Sequence, residues 1–221
     1  MSALHVRMKW LDALKAEDVE WLLAGGDGGR SSSNTSSDDD GDSGAGSAPA
    51  PTGSSPLVLG FDTELVVDAL SLIQLGNADR VLLVRVPAAG SVAKRGRGAP
   101  ATCPALRNLL TSPTTRKAAA EAWQDVLMVL HGMDIGMAGC VCLSQAYQDR
   151  FKGKFKLGLF AMFERLCPGS GLEKDKATTT SDWAAERLTE EQVRYAALDA
   201  FVSWAVAAAC PTAVEKVSLK L

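Results

Sequence analysis

Two acidic residues, separated by one position, follow a short apolar run in the first half of the chain. The run LVLGF at positions 57–61 is typical of a buried strand, and Asp62 and Glu64 come directly after it. Because side chains alternate along a strand, both carboxylates fall on the same face, where their charges repel each other. Divalent cations would compensate this repulsion, so the pair is a candidate metal site, although the same pattern also occurs on solvated strands.

A phenol and a carboxylate stand four residues apart near the end of the sequence. Tyr195 and Asp199 lie in an apolar, alanine-rich segment that opens with Thr189 and Gln192, which match a capping box and predict a helix start. The spacing of four places the two side chains one turn apart on one helix face. Asp199 is then either a buried charge that needs a cation or a solvent-facing residue, and this segment alone leaves both interpretations open.

The elements that must position these side chains begin with strands and continue with helices. The apolar run at 57–61 and further runs at 69–75 and 81–86 are close enough to form an antiparallel meander, with Gly76-Asn77 as one turn. The other predicted elements are strands at 4–8, 117–124 and 140–143, and helices at 11–23, 105–110, from 126, at 157–166 and after Thr189. This order predicts an α/β domain with a mixed sheet.

Composition predicts one soluble, intracellular domain over residues 1–221. Residues 25–56 consist mainly of Gly, Ser, Asp, Ala and Pro, and we expect a disordered insertion because they have little apolar surface to bury. Five scattered cysteines indicate reduced thiols, and no apolar stretch reaches the ~20 residues of a membrane span. The net charge of −3 neither supports nor excludes a nucleic-acid partner, since the insertion accounts for the acidic excess.

Three segments together resemble a known family. The strand LVLGFDTE, the later LIQLG, and the block SDWAAERLTEEQVRYAALDAF with its Y-x-x-x-D are similar to the motifs of the DEDDy class of 3'-5' exonucleases, and most similar to the Werner syndrome helicase type of exonuclease domain. Residues 57–86 and 117–208 take part. The resemblance implies a ribonuclease H-like mixed sheet flanked by helices. It also implies removal of nucleoside 5'-monophosphates from the 3' end of nucleic acid, with DNA favoured over RNA.

The third carboxylate segment of this family has an Asp that opens a leucine-rich helix, followed by a V-D-L segment. Asp125 followed by VLMVL, with VCL at 141–143, fits this pattern without a gap. The rival is Asp134 in HGMD, which looks like the H-G-x-D of ribonuclease D-like relatives but would require a deletion before Val141. We therefore take Asp125 as the third carboxylate.

By this resemblance, Asp62, Glu64, Asp125 and Asp199 would hold two Mg²⁺ or Mn²⁺ ions, with Asp62 bridging both. Hard oxygen ligands suit these metals. An ordinary phenol has a pKa of about 10 and is a poor general base, so Tyr195 is expected to orient the attacking water instead.

The chain also departs from the family pattern. Leu65 stands where a Trp often follows the first Glu, Cys142 replaces the Asp of V-D-L, and the strand before Asp125 is alanine-rich. These departures leave open an inactive relative that serves as a nucleic-acid-binding or scaffold module, and a ribonuclease D-like enzyme that acts on RNA is a further alternative. The family suggests a separate helicase partner, and the basic cluster at 94–97 suggests nuclear residence.

Overall fold

The computed structural model describes residues 3–25, 57–87, 103–152, 156–172 and 175–211. Among these residues, six strands form one sheet: β1 (His5–Trp10), β2 (Val58–Val66), β3 (Ala69–Gly76), β4 (Arg80–Arg85), β5 (Arg116–Ala119) and β6 (Cys140–Cys142). The same part of the chain contains seven α-helices: α1 (Ala16–Ala24), α2 (Pro104–Thr111), α3 (Ala122–Met133), α4 (Leu143–Phe151), α5 (Leu159–Leu166), α6 (Lys176–Thr179) and α7 (Glu190–Ala209). In the ranges given above, no helix is long and apolar enough to cross a membrane.

The sheet combines antiparallel and parallel pairs in the order β1-β4-β3-β2-β5-β6. The strands β2, β3 and β4 form the predicted antiparallel meander. β1 runs parallel to β4, and β5 runs parallel to both β2 and β6. The prediction of an α/β fold with a mixed sheet is therefore confirmed.

Helices cover both faces of the sheet, because the central strands are apolar on both sides. On β3, Ile73 and Leu75 belong to the core shared with α1, α2 and α3. Leu72, which points to the other face, packs with Trp183 and the alanines of α7. Because side chains alternate between the two faces along β2 and β3, every second side chain faces α7 and the others face α3.

Helix α7 lies very close to the centre of the sheet, because glycines replace side chains where it crosses. A Cβ at Gly60 of β2 would collide with the main-chain carbonyl of Ala200, and one at Gly76 of β3 would lie 3.0 Å from the Ala200 Cβ. The capping box predicted for this helix is present, since Thr189 accepts from the Gln192 N–H and the Gln192 side chain accepts from the Thr189 N–H. The glycines set the distance between α7 and the sheet, and the capping box sets the residue at which α7 begins.

Several element boundaries differ from those predicted, most clearly around residues 11–23 and 117–126. The strand predicted at 117–124 ends at Ala119, and α3 begins at Ala122 rather than at 126. Ala118 and Ala119 lie in the strand, where they pair with β6, and the helix begins three residues later at Ala122. The predicted helix at 11–23 divides into a 3₁₀ turn (Leu11–Ala13) and α1. Most of the predicted insertion and the basic cluster at 94–97 lie outside the described residues.

Candidate active site

β2 and α7 bring three carboxylates together on one face of the sheet. Asp62, Glu64 and Asp199 each offer one oxygen, and these three oxygens all lie within 4.8 Å of one another. Glu64 is 9 % exposed and Asp199 is 1 % exposed, so at least two of the carboxylates are withdrawn from water. The close glycine–alanine contact described above accounts for this geometry, because Asp199 directly precedes Ala200 on α7.

A fourth carboxylate, Asp125, reaches the cluster from the opposite face. It lies in the first turn of α3 and is 8 % exposed. The Thr63 hydroxyl, on the opposite side of β2 from Asp62 and Glu64, donates a hydrogen bond of 2.7 Å to Asp125 Oδ1. Asp125 can approach β2 there because β5 ends at Ala119 and leaves the far part of the β2 edge open to α3.

Asp134, the rival third carboxylate, lies elsewhere. It is the C-cap of α3, with a left-handed backbone conformation (φ 53°), and it is exposed. It therefore stands at the opposite end of the helix from Asp125. The geometry favours Asp125 as the third carboxylate.

Burial raises the pKa values of two of the carboxylates, Asp62 and Asp125. Burial is the largest cause that raises the pKa of Asp62 well above its usual value, and the charges of Asp125, Asp199 and Glu64 raise it further. Burial also raises the pKa of Asp125 to about 6, although the hydrogen bond from Thr63 opposes this change. Without a cation, this cluster is thus strained by its own negative charge.

Tyr195 is placed one turn before Asp199 on α7, as predicted. It is buried, its ring packs on Trp183 with 5.8 Å between the centroids, and its hydroxyl lies 3.0 Å from Thr179 Oγ1. A cavity of 310 Å³ opens beside it, lined in part by Phe160, Arg194, Leu198 and Tyr195 itself. The phenol is therefore fixed at the boundary between α6, α7 and this cavity.

Comparison with known proteins identifies the class of the site. Residues 52–209 match the model of a family described as 3'-5' exonuclease. The chain belongs to this family. The predictions of a DEDD-type 3'-5' exonuclease and of a nucleic-acid substrate are therefore confirmed at the level of the family. Exonucleases of the DEDD type use two divalent metal ions, in agreement with the predicted cofactor.

Solved structures agree with this assignment in fold. NrnC of Brucella melitensis with bound Mg²⁺ is 21 % identical with a TM-score of 0.55, and the match covers 72 % of this chain and 74 % of that one. RNase D of Escherichia coli is 24 % identical with a TM-score of 0.53, covering 72 % and 40 % of the two chains. The RRP6 catalytic core of Trypanosoma brucei is 15 % identical with a TM-score of 0.60, covering 96 % and 50 %. No curated protein sequence shows significant similarity to the chain.

The donor set of this exonuclease suits a hard divalent cation. All the candidate ligand atoms are carboxylate oxygens, which Mg²⁺ and Mn²⁺ prefer. They converge from β2, α3 and α7 in a place where burial raises the pKa values of Asp62 and Asp125, and where the neighbouring carboxylates raise the pKa of Asp62 further. The residues present therefore fit the metal ions that the family uses.

Two polar residues that contact the carboxylates were missed by the sequence reasoning. Thr63 bonds Asp125, and Gln74 of β3 donates a hydrogen bond of 3.0 Å from Nε2 to Glu64 Oε1. The available signal for Gln74 was a single amide in the otherwise apolar run LIQL. For Thr63, the only signal in the sequence was its position between Asp62 and Glu64.

Proposed function

We propose that the chain hydrolyses phosphodiester bonds one nucleotide at a time from the 3' end of a nucleic-acid strand and releases nucleoside 5'-monophosphates. The observation that carries this proposal is the convergence of Asp62, Glu64 and Asp199, with Asp125 beside them, in a chain of the 3'-5' exonuclease family. These carboxylates would hold two divalent cations, which would supply an activated water and stabilise the leaving 3' oxygen.

The four carboxylates divide into two groups in this proposal. Asp62 is near all of the others, since the charges of Asp125, Asp199 and Glu64 all act on it, and it is the residue that would contact both cations. Glu64 and Asp199 would hold one cation with it, and Asp125 would hold the second. Asp125 is held by the Thr63 hydroxyl and is also hydrogen-bonded with Asp62, so the two carboxylates proposed for the second cation lie side by side.

Tyr195 is assigned the role of positioning the attacking water. Its place on α7 is one turn from Asp199, and its ring is held by Trp183, so its hydroxyl can turn only within a small region. The cavity beside it has apolar walls from Phe160 and Leu198, and its charged lining residues are Arg194, Asp175 and Glu191. The apolar walls suit the base of a terminal nucleotide.

The carboxylate chemistry is the same for DNA and RNA, so two substrates remain. The sequence resemblance to the Werner type favours DNA. RNA is the second candidate, because the RNase D structure is that of an exoribonuclease involved in structured RNA processing. Nuclear residence and a helicase partner remain predictions from the family resemblance.

The test is digestion of 5'-labelled single-stranded DNA and RNA of one sequence with Mg²⁺ or Mn²⁺. A ladder that shortens from the 3' end, with nucleoside 5'-monophosphate as the product, is expected for at least one of the two strands. Tyr195→Phe keeps the ring, and we expect it to lower kcat by about 10–100-fold with the same metal requirement. A folded parent that degrades neither strand would leave the nucleic-acid-binding module as the better account.

A further inference from the structure

Gln74 is a buried amide in the middle of the sheet that the proposed reaction does not use. It lies on β3, directly opposite Asp62 in the antiparallel register with β2, and it is 0 % exposed. Directly opposite residues share one face of a sheet, so Gln74 points toward the same side as Asp62 and Glu64. The amide therefore lies inside the carboxylate cluster.

The two ends of this amide have different surroundings. Nε2 donates a hydrogen bond of 3.0 Å to Glu64 Oε1. Gln74 Oε1 is buried and accepts no hydrogen bond from the described residues. A buried oxygen without a donor costs stability, so an apolar residue at this place in the strand would be favoured if packing alone mattered. The amide thus offers one donor to Glu64 and one open acceptor to whatever enters the cluster.

We propose that Gln74 is a positioning residue for the metal site, acting through Glu64. Its N–H holds Glu64 Oε1 and so fixes the orientation of that carboxylate in the cluster, while its own oxygen would accept a hydrogen bond from water that enters with the cation. Groups that orient the ligands of a metal in this way control its affinity strongly. This inference rests on the proposed function, because it assumes that Glu64 is a metal ligand.

Two substitutions separate this role from simple packing. Gln74→Met has nearly the same shape but no donor, and Gln74→Asn keeps an amide that is one carbon shorter and cannot reach Glu64. Ser203→Ala is the matched control, because Ser203 of α7 is also 0 % exposed and its hydroxyl has no hydrogen-bond partner among the described residues. Thermal unfolding and circular dichroism establish that each variant is folded.

The decisive measurement is Mn²⁺ binding to the protein without substrate, by calorimetry or by the electron paramagnetic resonance of free Mn²⁺. Both Gln74 variants are expected to bind Mn²⁺ about tenfold more weakly than the parent, the lower end of the effect of removing such a partner. Ser203→Ala should bind as the parent does. In nuclease assays the Gln74 variants should need more Mg²⁺ for half-maximal rate and recover most of the parental kcat at saturating Mg²⁺.

Parental Mn²⁺ affinity in folded Gln74→Met and Gln74→Asn would overturn the inference, and it would leave the exonuclease proposal intact if the parent digests nucleic acid. A parent that binds Mn²⁺ but digests nothing, with weaker binding in both variants, would support the positioning role while the proposed function fails. A parent that binds no Mn²⁺ at all would overturn both.

Discussion

The two sides of the carboxylate cluster are held in different ways. On one side, main-chain packing brings Asp199 against Asp62 and Glu64, since α7 rests directly on the glycines of β2 and β3, and Gln74 orients Glu64. On the other side, Asp125 stands in the first turn of α3, and the hydrogen bond from Thr63 ties it to β2. The approach of α7 to β2 on the first side depends on the backbone, whereas the position of Asp125 on the second side depends on a side-chain contact, so Asp125 should be easier to displace by substitution.

The largest effect is expected on the first side. Asp62→Ala should lower kcat by about 10³-fold or more, because the proposed ligand of both cations is lost. Thermal unfolding of the metal-free variant should occur at a temperature no lower than that of the parent, since the like-charge repulsion on Asp62 is removed. Steady-state digestion and calorimetry check the two results. Residual activity within tenfold of the parent would contradict the assignment of Asp62.

The second side is tested by a pair of variants on one helix. Asp125→Ala should lower kcat by about 10²–10³-fold, whereas Asp134→Ala should leave it unchanged, because Asp134 is exposed at the far end of α3. Digestion rates under the same metal concentration decide between them. If kcat fell in Asp134→Ala and not in Asp125→Ala, the alignment to the family motif that selects Asp125 would be wrong.

A smaller effect is expected from the contact that holds Asp125. Thr63→Val keeps the shape of the side chain and removes the hydroxyl, and it should weaken metal binding about tenfold, with little loss of kcat at saturating Mg²⁺. The measurement is the Mg²⁺ concentration at half-maximal rate. An unchanged Mg²⁺ requirement would mean that α3 itself fixes Asp125, as the backbone fixes Asp199.

The last effect concerns stability and pH without metal. Because burial raises the pKa of Asp125 to about 6, its protonated form stabilises the fold below its ordinary pKa, and this contribution is lost as the pH rises through about 6. The contribution of Asp125 to the free energy of unfolding of the metal-free parent should therefore decrease by about 2 kcal/mol between pH 4.5 and pH 7, and Asp62, whose pKa burial also raises, should add to the decrease. Urea unfolding measures it.

Asp125→Asn is the control for this pH dependence, and its free energy of unfolding should change less over the same range. Saturating Mg²⁺ should also reduce the decrease in the parent, because a cation favours the charged carboxylates. If the free energy of unfolding changed equally with pH in the parent and in Asp125→Asn, Asp125 would have an ordinary pKa.

Local patterns were sufficient for the elements that carry the first side. The alternation after LVLGF placed Asp62 and Glu64 on one face, and the capping box of Thr189 and Gln192 located the start of α7. The second side was harder, because the alanine-rich segment before Asp125 is compatible with both strand and helix. The family resemblance, rather than the local pattern, selected Asp125.

What the sequence could not predict depends on contacts between distant segments. Nothing local indicates that Gln74 reaches Glu64 or that Thr63 reaches Asp125, which is 62 residues away. Arg85 is a similar case, since it donates to the carbonyls of Ala185 and Glu186 and so holds the segment that leads into α7. Such contacts follow from the strand order and the helix packing. The hydrophobic pattern of the sequence restricts the possible strand orders and packings but does not select one of them.

The central claim is that Asp62, Glu64, Asp125 and Asp199 together hold two divalent cations. Crystals of the protein soaked in Mn²⁺ test it most directly, through the anomalous scattering of manganese. Two anomalous peaks are expected, both in contact with Asp62, one of them also with Glu64 and Asp199 and the other also with Asp125. Crystals with no peak in this cluster at saturating Mn²⁺, or with peaks only at other carboxylates such as Asp134, would contradict the account.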